Sequence, residues 1–148
     1  ISTNVETGTG TGSEALTEDM YNDALQTIWE AGGMPDIALV GAFNKRKISA
    51  FATSNTRYQE PIDGRLANYV SVYESDFGKQ EIMLEPFITT SVVALLQSDL
   101  WAIAELRPIK VTDYPALGSY VAKTVEGEMG LISTQQSGSG KITGTTTA

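Results

Sequence analysis

The pattern of apolar positions first predicts a helix over residues 18–31. Apolar side chains recur there every three or four positions, which is the period of a helix with one buried face. Thr17 stands directly before this stretch as a good N-cap. Gly32-Gly33 ends it, and a proline follows two residues later.

A short continuous apolar run follows the first helix, at residues 36–41. Turn residues flank this run, which predicts a strand that is buried on both faces. Residues 42–52 return to a helical pattern, with Phe43 facing inward and the run 45–47 facing solvent. A helix, a strand and a helix in sequence predict a sheet covered by helices.

The rest of the chain alternates with a period of two, which indicates strands. Residues 68–74 and 80–86 alternate on either side of the turn 75–78 and predict a hairpin, with Val70, Val72, Ile82 and Leu84 on one face. Further extended segments are predicted at 92–96, 101–106, 109–112 and 119–133. The predicted fold class is α+β, with a mixed sheet flanked by two helices, a hairpin and a long C-terminal strand.

Composition removes several classes of enzyme. The 148 residues include no cysteine and no histidine, which excludes thiol nucleophiles, Cys/His zinc sites and the Ser-His-Asp triad. The formal net charge is −8, from 18 acidic and 10 basic residues. Because tight binding to a phosphate backbone needs clustered bases, we expect no specific nucleic-acid partner.

The acidic and glycine-rich motifs do not add up to a site. Glu18, Asp19 and Asp23 lie close enough on one helix to suggest a divalent cation, but a solvated first turn explains them better. The glycine-rich stretches 8–12 and 138–141 lack the spacing of a phosphate-binding loop. We therefore expect no catalytic residues, no cofactor-binding or metal-binding residues, no cofactor and no enzymatic activity.

Two segments are candidates for association instead. The stretch 54–66 is a long polar loop, and loops of this length inside compact domains are usually functional. Arginine and tyrosine are favoured at interfaces. The candidate subunit-interface residues are the charged and aromatic side chains of this loop with the basic cluster of the second helix: Arg57, Tyr58, Glu60, Asp63, Arg65, Lys45, Arg46 and Lys47.

The two ends of the chain are rich in threonine, serine and glycine. Residues 1–13 and 134–148 hold few bulky apolar side chains, so we expect a flexible arm and a flexible tail. The packed part is then 14–133.

The order of short segments resembles a known family. Residues 17–25, 44–51, 72–78 and 100–108 are similar, in that order, to parts of the major capsid proteins of tailed double-stranded DNA bacteriophages with the Hong Kong 97 fold. The resemblance implies an axial-type α+β domain over 14–107 and a partial peripheral-domain strand over 108–133. It also implies that loop 54–66 points toward a five-fold or six-fold axis and contacts neighbouring subunits.

The resemblance makes a structural protein of the icosahedral head shell the leading hypothesis. Such subunits carry an N-terminal arm, an extended loop and a spine helix before this region, so the chain is expected to be a C-terminal fragment. The implied partners are further capsid subunits, as pentamers and hexamers. The implied location is the virion, with assembly in the host cytoplasm. No membrane partner is expected, and the isolated chain is expected to be monomeric or weakly associated.

Two other functions stay open at this point. The threonine- and glycine-rich ends also suit a secreted or surface binding module with linkers. A metal-dependent hydrolase using carboxylates is the third possibility, because hard metals need only Asp and Glu.

Overall fold

The computed structural model describes residues 4–7, 14–55, 71–115 and 118–145, with the side chains of 52–55 excepted. The chain divides into two compact units. The first, Ile1–Ser98 with Gln135–Ala148, holds the helices and most strands, and the second is Asp99–Thr134.

The first unit is built on a six-stranded mixed sheet. The strand order is β1-β8-β5-β2-β4-β3, in which β2 runs parallel to β4 and β1 parallel to β8, while the other pairs are antiparallel. The elements are β1 (Val5–Thr7), α1 (Glu18–Glu30), β2 (Ile37–Val40), α2 (Ala42–Asn55), β3 (Val72–Ser75), β4 (Gly78–Leu84), β5 (Val93–Leu96) and β8 (Gly140–Thr143). The predicted α+β class with a mixed sheet is confirmed.

The first helix forms as its local signals predict. The Thr17 hydroxyl accepts a hydrogen bond from the Met20 N–H at 3.3 Å, which satisfies one of the free donors of the first turn. Glu18 and Asp19 stand where the helix dipole favours negative charge. The helix then buries one stripe, which is Tyr21, Ala24, Leu25 and Ile28.

Both helices pack on the same face of the sheet. Ala38 of β2 pairs in register with Ile82 of β4 and with Leu95 of β5, and Ile142 of β8 pairs with Val93 of β5. All of these residues belong to the hydrophobic cluster that also includes Leu25 of α1 and Ile48 of α2. The residues between them on β2, Ile37 and Leu39, are only partly buried. The prediction that β2 is buried on both faces is therefore wrong, because no described helix covers the second face.

The β3–β4 hairpin is confirmed over its described residues, but its predicted face is wrong. Residues 68–70 of the prediction, with Val70, lie outside the described residues. Val72 pairs with Glu81, so it lies on the face opposite Ile82. The buried face holds Tyr73 and Gln80, which pair with each other, together with Ile82. The alternation predicted the two strands but did not determine their register. A shift of the register by one residue exchanges the two faces of the hairpin.

The predicted flexible tail over 134–148 contains a central strand. Strand β8 lies between β1 and β5, and Ile142 is fully buried in the core. Two residues beyond β8, Thr145 Oγ1 accepts a hydrogen bond of 3.2 Å from the buried Asn44 amide, which also donates to the Thr90 carbonyl at 2.9 Å. The tail prediction is wrong over 135–145 because this segment supplies backbone pairing rather than bulky side chains.

The predicted arm also contributes to the sheet. Residues 5–7 form β1, although the rest of 1–13 lies outside the described residues apart from Asn4. Asn4 adopts a positive φ of 53°, and its side-chain amide donates to the Ser137 carbonyl at 2.6 Å. The arm and the tail thus anchor each other at β1 and β8.

The second unit is a long antiparallel hairpin, β6 (Trp101–Asp113) paired with β7 (Lys123–Ser133). The predicted strands 101–106, 109–112 and 119–133 fall within it, although β7 starts later than predicted. The observed unit begins at Asp99, so the predicted boundary at 107/108 cuts through β6. Strands β6 and β7 belong to the same unit because their backbone hydrogen bonds join them along their length.

Three aromatic rings join the helices to the sheet. Tyr21 of α1 and Phe51 of α2 both meet Tyr73 of β3 edge-on, with ring centroids 5.2 and 6.1 Å away. The Tyr73 hydroxyl lies 3.2 Å from Glu18 Oε1 and 3.3 Å from Asn22 Oδ1, to which it can donate. The Tyr21 hydroxyl is buried and has no hydrogen-bond partner among the described residues.

The two tyrosines should respond oppositely to the same substitution. Tyr21→Phe removes a buried unpaired hydroxyl, so we expect the free energy of unfolding to rise by about 1 kcal/mol. Tyr73→Phe removes a paired hydroxyl and should lower it by about 1 kcal/mol. Urea denaturation of both variants measures the pair, and two changes of the same sign would contradict the assignment.

Burial also raises the pKa of the Tyr21 hydroxyl, with Tyr73 adding a smaller repulsion. The folded chain then keeps this proton at pH values where the unfolded chain has lost it, so stability falls as the pH rises above about 10. In Tyr21→Phe this alkaline loss should be smaller than in the unmodified chain.

Candidate assembly surface

The basic cluster of α2 does not form one patch, because consecutive helical residues point in different directions. Lys45 is half-buried and donates from Nζ to the Ile82 carbonyl of β4 at 3.2 Å. Lys47 lies over the Phe43 ring, with Nζ 5.3 Å from the centroid. Arg46 between them is exposed and makes no hydrogen bond or ion pair within the described residues. The prediction that all three face solvent therefore holds fully only for Arg46.

Burial lowers the pKa of the Lys45 ammonium. The cause is loss of water around the charged group, since the side chain crosses apolar surface to reach β4. Lys45 thus ties α2 to the sheet rather than presenting a free charge.

An open depression of about 660 Å³ lies beside these residues. Its floor and rim come from one helix and one strand end: Phe43, Lys45, Arg46, Lys47, Ser49, Ala50 and Leu84. Leu84 is well exposed, and Phe87, three residues further on, is 95% exposed. The lining of the depression thus combines aromatic, aliphatic and basic side chains.

The predicted loop residues Arg57, Tyr58, Glu60, Asp63 and Arg65 lie outside the described residues. The structure describes the helix that leads into this segment. Helix α2 continues to Asn55, three residues beyond its predicted end. The segment therefore leaves directly from the helix that carries Arg46.

The carboxylates do not assemble a metal site in the described part of the chain. No group of three or more acidic side chains there could hold a metal ion. Glu18 instead accepts the Tyr73 hydroxyl, and Asp19 and Asp23 are exposed on α1. Neither described helix is long and apolar enough to cross a membrane.

One surface was missed from the sequence. The β6–β7 hairpin exposes most of its large apolar side chains. The period of two along 119–133 indicated two different faces, but the sequence did not show that most of their large apolar side chains are exposed.

The described residues thus offer exposed apolar and basic surfaces, and no group of acidic side chains among them could hold a metal ion. Comparison with known proteins gives the class directly. Residues 1–146 match the family model described as SU10 major capsid protein. The chain therefore belongs to the SU10 major capsid protein family, which confirms the resemblance to phage major capsid proteins.

No curated protein matches the sequence. Among solved structures, the chain is similar to one described as the crystal structure of a virus-like particle from Pyrococcus furiosus. The two share 13% identity with a TM-score of 0.48. The match covers 91% of this chain and 57% of that chain, so this chain spans little more than half of its length.

Membership of the family settles the broad role. The chain belongs to a family of structural capsid proteins. The family gives no support to the secreted binding module or the metal-dependent hydrolase.

Proposed function

We propose that the chain forms rings of five and six copies within the shell, with segment 54–66 at the contact between neighbours. The match of residues 1–146 to a major capsid protein family carries this proposal. Arg57, Tyr58, Glu60, Asp63 and Arg65 are residue types that suit such a contact, since arginine and tyrosine anchor interfaces and the acids can pair with arginines of the next copy.

The basic cluster contributes to the same contact with divided roles. Arg46 is the exposed member and meets the neighbouring copy. Lys45 and Lys47 hold α2 in position through the Ile82 carbonyl and the Phe43 ring. Removing Arg46 should therefore weaken assembly, whereas removing Lys45 should act first on stability.

The two units take the two parts of a capsid subunit. The unit Ile1–Ser98 with Gln135–Ala148 serves as the axial domain, and the hairpin unit Asp99–Thr134 belongs to the peripheral domain. The chain has no enzymatic activity, assembles in the host cytoplasm, and is monomeric or weakly associated by itself. Its net charge of −8 supports a shell that does not adhere to packaged nucleic acid.

Charge reversal in the segment tests the ring contact. Arg57→Glu with Arg65→Glu, in the gene product that carries this sequence, should reduce the yield of assembled particles by at least about tenfold, since each reversal replaces an attraction by a repulsion. Electron microscopy and sedimentation of particles measure the yield.

Lys79→Glu is the control, because it reverses an exposed charge outside the candidate set. It should leave the yield unchanged. Wild-type yields from the double variant, with its fold intact by circular dichroism, would refute the contact.

A further inference from the structure

One end of the main sheet carries a basic surface. Strands β2 and β4 run parallel, with Val40 beside Leu84 at their carboxyl ends, and α2 begins at Ala42, directly after β2. The first turns of α2 therefore lie at this end of the sheet. The open depression between them and Leu84 is lined by three bases and no acid, and Phe43 and Ala50 belong to its apolar part. We call this surface the basic hollow.

The opposite end of the same two strands carries aromatic and acidic side chains. Trp29, at the end of α1, is 55% exposed, and its ring centroid lies 6.3 Å from that of Phe77, which directly precedes β4. Glu30 and Asp76 are their neighbours in sequence, and both are exposed. Neither carboxylate forms an ion pair with another described residue. We call Trp29, Glu30, Asp76 and Phe77 the aromatic ridge.

The hollow and the ridge are about 20 Å apart, since Phe77 and Leu84 are separated by seven residues of extended chain. One copy therefore cannot bring its own ridge to its own hollow. A contact between two hollows would oppose bases to bases, and a contact between two ridges would oppose acids to acids. Only a contact between the ridge of one copy and the hollow of another joins opposite charges.

We propose that the aromatic ridge of one copy docks in the basic hollow of the next copy around the ring. This pairing rests on the ring contact proposed above and names the surface that Arg46 meets. Trp29 enters the hollow beside the Arg46 guanidinium, since tryptophan is the aromatic side chain that cations favour most. Glu30 then lies within reach of Arg46, and Asp76 within reach of Lys47.

Charge complementarity carries the proposal. The chain has a net charge of −8, yet three of its ten bases line this one hollow without an acid among them. The ridge offers two acids that have no ion-pair partner among the described residues. Tryptophan and arginine are also the side chains that most often dominate the energy of a protein contact. Because the contact joins two different surfaces, it repeats in one direction and can close into a ring.

A carbodiimide, which joins an amine directly to a carboxylate in contact with it, tests the pairing without any substitution. The sample is the assembled particle of the gene product that carries this sequence. Peptide mass spectrometry should find Lys47 joined to Asp76 or Glu30, and the distance within one chain makes such a link a link between copies. Lys123 and Asp113 form an ion pair at 3.0 Å, so their link shows that the reagent has acted. That link without any at Lys47 would overturn the proposal.

A charge exchange tests the same pairing through assembly. Arg46→Glu and Glu30→Arg should each lower the particle yield at least about tenfold, because each opposes like charges. The double variant should return the yield to within about threefold of the unmodified protein. Asp19→Arg is the matched control on the same helix, about 16 Å before Glu30, and should leave the yield unchanged. A double variant no better than the single ones, with its fold intact by circular dichroism, would contradict the pairing.

The outcomes separate this pairing from the role proposed for segment 54–66. If Arg57→Glu with Arg65→Glu lowers the yield but Lys47 stays unlinked, the segment contact stands and the pairing of ridge and hollow is wrong. If Lys47 is linked but that double variant assembles normally, the pairing stands and the role of the segment is wrong.

Discussion

Ile142→Ala is expected to lower the free energy of unfolding by about 2–5 kcal/mol, which is the range for truncating a large aliphatic side chain in a core. Ile142 is fully buried, and it lies in register with Val93 of the neighbouring strand β5. Because a small domain has only about 5–15 kcal/mol of total stability, this single change should shift the urea midpoint strongly. Urea denaturation followed by circular dichroism measures it.

Lys141→Ala is the matched control on the neighbouring residue. Lys141 points to the other side of β8 and is only partly buried, so its removal should cost less than about 1 kcal/mol. If both variants were as stable as the unmodified chain, β8 would not belong to the core, and the sequence-based prediction of a free tail would stand.

Strand β8 could not be predicted from the sequence, for a physical reason. Its four residues include only one bulky apolar side chain, and polar, glycine-rich segments usually cannot bury enough surface to offset ordering. Here the strand forms backbone hydrogen bonds with its two neighbours, β1 and β5, and its Gly140 allows α1 to approach the sheet closely. A side chain at Gly140 would meet Ile28 Cδ1 at 2.7 Å and the Asn4 carbonyl at 2.8 Å, so the glycine is what admits α1 to the sheet.

Elements whose signals are local were predicted well. Helix α1 has its cap, its buried stripe and its stop within 17 consecutive residues, from Thr17 to Gly33. The strand pairs are different, because β8 meets β5 and β1 only through contacts far apart in sequence. Register and the choice of buried face therefore had to come from the structure.

The contacts of the candidate assembly surface likewise include local ones, which the sequence can reveal, and long-range ones, which it cannot. The partner of Lys47 lies four residues back on the same helix, at Phe43, where helical spacing would reveal it. The partner of Lys45 is a carbonyl on β4, 37 residues away in sequence. Along β6, two register shifts break the alternation, so the sequence of that strand alone does not show which of its side chains share a face.

Gly33→Ala is expected to lower the free energy of unfolding by about 3 kcal/mol, at the upper end of the cost of overpacking a tight site. An added Cβ would lie 2.6 Å from Gly138 Cα and 2.9 Å from the Gly138 carbonyl oxygen. Backbone cannot turn aside as a flexible side chain can, so the segment that leads into β8 must move. Amide exchange should then accelerate at residues 140–143.

Gly32→Ala separates this packing effect from the ordinary role of glycine at a helix end. Gly32 has a φ of +86°, but nothing lies within 4 Å of an added Cβ. Its substitution should cost about 1–2 kcal/mol through backbone strain alone and leave exchange in β8 unchanged. Gly130→Ala, in open space without a positive φ, should be close to neutral. Equal costs at Gly32 and Gly33, without faster exchange in β8, would mean that the two glycines serve only to end α1.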